Sequence, residues 1–414
     1  MKYFKNTELA KLNQISEKSV RNWVEAAQQG KLNLELYTHG EHTYIADTLH
    51  NNVLIAQLVA RGKKYRNRLS FKVLQPSTEF YNLYTPAQVI DIVANLDLYR
   101  EIPLGYTYFG KGATYWNEYC ARALLTPGSS TLKSDLELIR RNFSNFDSLL
   151  EDYSHLNIVD LGTGNGMATR ELLAHMASSG KLRRYIGIDI SQDMLDIAKN
   201  NLQTWLGHEI RLETHQRDFS HQRFSELLLA DSYGKDATQT ANLMLFAGTT
   251  ITNFREPDQP LHTIRGSMGR NDLLVTCLRL DGEKARHFFD FGAEKGASLL
   301  GPRHKYLPDL LNIDPSFYEV EQFFDERARA RIIQIRLKIA LSLDFEVGAF
   351  RKTLDLAKGE RIILWRCWHY TDYEIIDKFD QNGFSLLQAT KSKDQEYMLL
   401  VSRVKTRSQL DVDT

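Results

Sequence analysis

An apolar strand that runs into three closely spaced glycines sets the frame of this chain: Ile158-Val-Asp-Leu-Gly-Thr-Gly-Asn-Gly166. Val159 and its apolar neighbours read as the end of a buried strand. Gly162, Gly164 and Gly166 let the backbone turn sharply and come close to a ligand. Leu172, Leu173 and Met176 give residues 167–179 the spacing of a helix, whose first amides would face that ligand. A second strand over 184–190 then ends in an acid, Asp189. An acid there can accept hydrogen bonds from both hydroxyls of a ribose. Glycine strings often only turn. A bare turn does not explain Asp160 before the glycines, the helix after them and the acid at the next strand end.

This set of residues resembles the cofactor pocket of class I S-adenosylmethionine (SAM) methyltransferases. A nicotinamide-binding domain would need Gly-x-Gly-x-x-Gly, which this turn lacks. The resemblance implies an α/β fold with a Rossmann-like sheet, and SAM as cofactor. Strand and helix patterns alternate over 151–280, as a mostly parallel sheet requires.

At 414 residues the chain has room for two or three domains. Its net charge of zero argues against a general polyanion binder, but the charge is uneven. Residues 1–68 carry eleven Lys/Arg against six Asp/Glu, a balance of +5. The cysteines Cys120, Cys277 and Cys367 are scattered and form no Cys-x-x-Cys pair, so no metal site is expected. Such sparse cysteines suit a reducing cytoplasm. The first residues lack an apolar signal core, and no apolar run approaches a membrane span. The expectation is a cytoplasmic protein without a membrane partner; the oligomeric state is not legible.

The basic N-terminal segment reads as two helices, a hairpin and a third helix. Helices are expected at 7–12 and 17–28, the second capped by Ser16. Strands at 31–37 and 41–45 flank His39-Gly40, and a helix follows over 48–61. Glu8-Leu-Ala-Lys11, Ser16-x-x-Ser19-Val-Arg-x-Trp23 and Tyr44-Ile45 resemble the MerR-like winged helix family. That resemblance implies a second helix lying in the major groove of DNA, with Lys18, Ser19, Arg21 and Asn22 exposed and Trp23 packed inward. Arg and Asn side chains can read base edges and Lys can hold phosphate. No dimerising coiled coil follows, although such domains usually act as dimers.

From about Tyr106 to Val404 the chain resembles a narrower family, the histidine-specific SAM methyltransferases known from ergothioneine biosynthesis. The residues that carry this occur in order: Tyr106-Thr-Tyr-Phe-Gly-Lys-Gly-Ala113, the glycine turn, Arg217-Asp-Phe219, Leu245-Phe-Ala-Gly-Thr-Thr-Ile-Thr-Asn-Phe254 and Trp368-His-Tyr-Thr371. The resemblance implies five segments: a winged helix over 1–65, a linker and first part of an auxiliary α+β acceptor domain over 66–130, the SAM-binding core over 131–280, the second auxiliary part over 281–361, and the rest of the core over 362–414. It implies a cofactor pocket of Asp160, Gly162, Thr163, Gly164, Gly166, Thr169, Asp189, Ser191, Asp218 and Phe219. Asn253 and Tyr108 would serve the acceptor and the transfer step, with Trp365 and His369 lining the same pocket.

The departures bear on the substrate. The family places Glu-x-Ser before its basic-Tyr pair to read an imidazole ring, and Trp365 and Cys367 stand there in this chain. Near Phe288-Phe289-Asp290 a tyrosine is replaced by phenylalanine. A site built to hydrogen-bond one substrate rejects analogues strongly. Losing those groups points to N-methylation of an amino acid, small amine or peptide other than plain histidine. Two further readings compete: a DNA-bound regulator that senses SAM or has lost activity, and a nucleic-acid methyltransferase. The last lacks the expected Asn-Pro-Pro-Tyr type of motif after its fourth strand.

Overall fold

In a computed structural model the described residues are 2–40, 42–69, 71–126, 130–229, 239–287 and 300–406. They divide into two compact units. The first comprises residues 1–73 with short returns at 339–342 and 355–357, and the second holds the remainder.

The first unit begins with helices Asn6–Leu12 and Glu17–Gln28. The Ser16 side chain accepts a hydrogen bond from the Ser19 N–H at 3.1 Å, so a serine oxygen satisfies one of the orphan amides of the second helix. The strands Leu36–His39 and His42–Ala46 pair antiparallel across Gly40, whose φ of +62° suits a tight turn. Leu9, Val20, Val24, Leu34, Ile45 and Ile55 form the buried core. Asn51, fully buried, accepts from the Glu35 N–H and donates to the carbonyls of Glu35 and Ala46, so one amide pins helix to hairpin. The last helix runs Leu49–Leu69, past the expected end at Arg61. Gly62 costs a helix only about 1 kcal/mol, and the Lys/Arg-rich segment beyond it is made of good helix formers.

The second unit is built on a seven-stranded sheet: β1 (His155–Leu161), β2 (Leu182–Asp189), β3 (Leu212–Gln216), β4 (Thr240–Phe246), β5 (Leu273–Arg279), β6 (Phe384–Lys391) and β7 (Tyr397–Val404). Its order is β3-β2-β1-β4-β5-β7-β6. Strands β1 to β5 are parallel, and β7 joins β5 antiparallel, with β6 at the edge. Alternate residues of each strand serve opposite faces. Ile158, Leu243, Leu399 and Val401 join one apolar cluster, shared with helices Thr131–Arg141, Arg170–Ser178 and Gln192–Leu206. Val159, Met244, Met398 and Leu400 join the other, shared with helices Asp258–Ser267 and Asp372–Gln381. Both faces are covered, as a parallel sheet demands.

The order reverses at β1, which has β2 on one side and β4 on the other. Ligands of open α/β sheets bind outside the carboxyl ends of the strands at such a switch point. The glycine turn leaves β1 at that place.

Beyond residue 281, the strand Tyr318–Asp325 pairs with Ala330–Leu337. One part differs from the sequence-based expectation of a core that resumes at 362. The strand Arg361–Trp368 pairs with Ala330–Leu337 rather than joining the seven-stranded sheet. The chain returns to the core with helix Asp372–Gln381, and the closing hairpin is β6–β7. Among the described residues no helix is long and apolar enough to cross a membrane.

Candidate active site

The turn after β1 takes left-handed backbone at Gly162 (φ +72°), Gly164 (+51°) and Gly166 (+77°). Each glycine has its own neighbour. A Cβ on Gly166 would press within 3.1 Å of Leu202, so this glycine lets the turn pack on the helix Gln192–Leu206. A Cβ on Gly162 would approach Phe219 at 3.6 Å and Thr250 at 3.9 Å. One on Gly164 would meet the Trp116 indole nitrogen at 3.1 Å.

Asp160 and Thr169 brace the turn from beneath. The Thr169 hydroxyl donates to Asp160, and the Tyr185 hydroxyl donates to the same carboxylate oxygen at 3.0 Å. Burial lifts the Asp160 carboxyl to about 6 against those two hydrogen bonds. Thr163 and Asp189 meet beside the turn, with the threonine hydroxyl 3.4 Å from Asp189 Oδ2. Asp189 also accepts from the Ser191 N–H at 3.0 Å. Burial raises its carboxyl to about 6, and the backbone N–H groups of Ser191 and Gly164 oppose that rise. It is therefore held as an acceptor at neutral pH, as a ribose diol requires.

Ser191 caps the helix Gln192–Leu206 by accepting from the Met194 N–H, and its hydroxyl donates to the Tyr108 carbonyl at 2.7 Å. That bond ties the short 3-10 turn Leu104–Tyr108 to the end of β2. Asp218 accepts from the N–H and hydroxyl of Ser220 at 2.9 and 2.5 Å, shaping the loop that carries Phe219. The Phe219 ring is buried edge-on against Phe246 and Phe254.

The turn after β4 carries Asn253. It opens with Thr249 in left-handed backbone at φ +60°, a strained setting for a β-branched residue. Its hydroxyl accepts from the Arg279 N–H at 3.2 Å, and the Thr252 hydroxyl donates to its carbonyl at 2.8 Å. Asn253 Oδ1 is buried with no hydrogen-bond partner among the described residues. Such an acceptor costs roughly 1–3 kcal/mol unless a ligand satisfies it.

The strand Arg361–Trp368 lies against this turn. The Thr252 hydroxyl is 3.2 Å from Cys367 Sγ, and the Trp368 indole N–H donates to the Phe254 carbonyl at 2.8 Å. Arg331 faces both Cys367 and Trp365. Its Nη2 is 3.3 Å from Cys367 Sγ, and its guanidinium lies 5.2 Å from the centre of the Trp365 ring. Trp365 and His369 are both buried in this group, and His369 accepts from Arg331 Nε at 2.9 Å. Phe288, Phe289 and Asp290 lie outside the described residues.

Three neighbours of these residues carry no sequence signal. Arg303, in a helix Pro302–Leu310, donates to the Tyr108 hydroxyl at 2.7 Å. Trp116, on the helix Lys111–Leu125, stands beside both residues. Asp135 is buried with Oδ2 accepting from the Gly248 N–H at 2.8 Å, at the start of the Asn253 turn. All three are lone residues, recognisable only once distant segments are folded together.

In the first unit, Lys18, Arg21 and Asn22 are exposed on the helix Glu17–Gln28, and Ser19 is half-buried with its hydroxyl 2.8 Å from that of Ser16. Arg21 pairs with Glu17 at 3.3 Å, and Trp23 packs against the core.

A family model described as histidine-specific methyltransferase, SAM-dependent, matches residues 89–404. No curated protein matches the chain. Among solved structures, a SAM-dependent methyltransferase from Clostridium acetobutylicum ATCC 824 is 12% identical, with 70% of this chain and 99% of that one covered and a TM-score of 0.35. The magnesium protoporphyrin IX methyltransferase of Synechocystis PCC 6803, solved with bound S-adenosylhomocysteine, is 11% identical over 77% of this chain and 100% of its own, with a TM-score of 0.36.

Proposed function

The chain belongs to the histidine-specific, SAM-dependent methyltransferase family, and on that premise we propose that it methylates the nitrogen of an amino acid, small amine or peptide other than plain histidine. When bound, SAM supplies an electrophilic methyl group on a sulfonium. Gly162, Gly164 and Asp189 would hold it, with Phe219 at the adenine. An apolar ring beside Gly162 and a buried acid beside Gly164 suit an adenosine.

The chain's own work is positioning. An in-line displacement gains most from a nucleophile fixed in place and a dry site. Asn253 Oδ1 would accept an N–H of the acceptor amine and turn its lone pair toward the methyl group. The buried, partnerless state of that oxygen among the described residues is the observation that carries this reading. Tyr108 would complete the wall on the cofactor side. Burial raises its hydroxyl above the ordinary tyrosine range, so it stays protonated and does not act as a base.

The case against histidine rests on Trp365, Cys367 and Arg331. An imidazole N–H needs an acceptor, and these positions present an indole, a thiol and a guanidinium. The test is transfer of label from methyl-labelled SAM to a panel containing histidine, aromatic amino acids and aromatic amines. A panel member other than histidine should be the better substrate, and Asn253→Ala should lower its kcat/KM by about a hundredfold or more while binding of S-adenosylhomocysteine holds. Histidine as the preferred acceptor, or full activity in Asn253→Ala, would defeat the assignment.

We further propose that residues 1–65 form a winged helix that binds DNA through Lys18, Ser19, Arg21 and Asn22. The order helix, turn, capped helix, hairpin supports this, as does the outward placement of Lys18, Arg21 and Asn22.

A further inference from the structure

Arg303 lies where the cofactor reading stops. Its residue is 6% exposed, and its guanidinium sits 5.1 Å from the centre of the Tyr108 ring and 4.8 Å from that of Trp116. Among its contacts, Nη1 donates to the Tyr108 hydroxyl at 2.7 Å, and Nη2 to His304 Nε2 at 3.3 Å. His304 is kept neutral by burial and by Arg303 itself. The guanidinium therefore sits in the angle between the two nearly perpendicular rings, next to the Tyr108 hydroxyl and the His304 ring.

The glycine turn gives the pocket a direction. The face of Gly162 looks at Phe219 and Thr250, and the face of Gly164 looks at the Trp116 indole nitrogen. Asp189, the ribose acid, lies between them, bonded to Thr163 and drawn down by the Gly164 N–H. With adenine at Phe219 and ribose at Asp189, the opposite end of the cofactor falls at Gly164, Trp116 and Arg303. That end is an amino acid bearing an α-carboxylate.

We propose that Arg303, with Trp116 and Tyr108, forms the carboxylate-binding end of the cofactor pocket and takes the α-carboxylate of the cofactor's amino-acid tail. This rests on the chain's use of SAM. A guanidinium presents a planar fork that matches a carboxylate, and the indole N–H of Trp116 offers a further donor. An acceptor amino acid also carries a carboxylate, so the test must separate the two sources.

The experiment is calorimetric titration of the full chain, wild type, Arg303→Met and Arg303→Lys, with two probes and no acceptor present. S-adenosylhomocysteine has the amino-acid tail, and 5′-methylthioadenosine lacks it. Arg303→Met should bind S-adenosylhomocysteine about tenfold to a hundredfold more weakly and 5′-methylthioadenosine as the wild type does. Arg303→Lys should fall between, because it keeps the charge and loses the fork. Unchanged binding of both probes would overturn the proposal and leave Arg303 to the acceptor or to the fold. If Arg303→Met loses both probes, Arg303→Lys decides: a selective loss of the tailed probe supports the proposal, and equal behaviour of the two overturns it. Wild-type protein that binds neither probe would defeat the cofactor reading itself.

Discussion

Arg331 donates from Nε to Nε2 of His369 at 2.9 Å, and the other ring nitrogen, Nδ1, lies 3.4 Å from Asp281 Oδ1. The two contacts fix the tautomer. Nε2 accepts, so the proton sits on Nδ1 and points toward the carboxylate. Asp281 is also bonded to Arg286 and Arg329, and these hold its carboxyl well below the usual range. Nε2 of His369 is thus bonded to Arg331, while Nδ1 faces the Asp281 carboxylate at 3.4 Å without a hydrogen bond of good geometry. The bond to His369 orients Arg331 beside Trp365 and Cys367.

A pH dependence of stability follows. Burial and the Arg331 charge lower the His369 imidazole from 6.5 to about 3. The unfolded chain takes up a proton below 6.5 that the folded chain refuses. The stability tied to neutral His369 is complete above 6.5 and is lost as pH falls toward 3, by about 1.4 kcal/mol per pH unit for a fully linked proton. Urea denaturation between pH 7 and 4 should show a shallower loss in His369→Gln than in wild type. Parallel curves would mean that the imidazole is not held neutral.

Asp135 predicts a slope of opposite sign. Burial raises its carboxyl from 3.8 to about 7, against one hydrogen bond from the Gly248 N–H. For an acid lifted in the folded state, stability is complete below 3.8 and declines as pH rises through about 7, by an amount on the order of a few kcal/mol. Asp135→Asn keeps an acceptor for Gly248 and cannot ionise. The midpoint of the variant relative to wild type should therefore rise as pH increases from 4 to 8. A difference between the two proteins that does not change with pH would count against a protonated Asp135.

The proposed DNA contact has an ionic signature. Each phosphate neutralised releases counterions, so binding weakens linearly in log salt with a slope of about −0.9 per contact. Full-length protein on a duplex fragment should show such a slope, and Lys18→Ala should reduce it by about one. Arg21→Ala should cost less than a free arginine would, because Arg21 already pairs with Glu17. Absence of binding at low salt would remove DNA as a partner.

The sequence made the local chemistry legible and the long-range pairing much less so. The glycine turn, Asp189 and the Ser16 cap are encoded within a few residues, and each stands where its spacing placed it. Strand β6 is hard to read from its own residues: Phe384-Ser-Leu-Leu-Gln-Ala-Thr-Lys391 alternates poorly because it is an edge strand, with a break in register at Leu386. Arg361–Trp368 reads as strand from its own residues, but its choice of the smaller sheet depends on pairing with Ala330–Leu337. Arg303, Asp135 and Arg331 are ordinary charged residues in sequence. Only burial among distant segments gives them a task.

The measurement closest to the central claim is calorimetric titration of wild type and Asp189→Ala with S-adenosylhomocysteine. If the β1 turn and the acid at the end of β2 hold the cofactor, wild type binds one equivalent and the variant loses about tenfold or more in affinity, the worth of one or two hydrogen bonds to a charged group. Equal affinity in the two proteins, or no binding by wild type, would contradict the account.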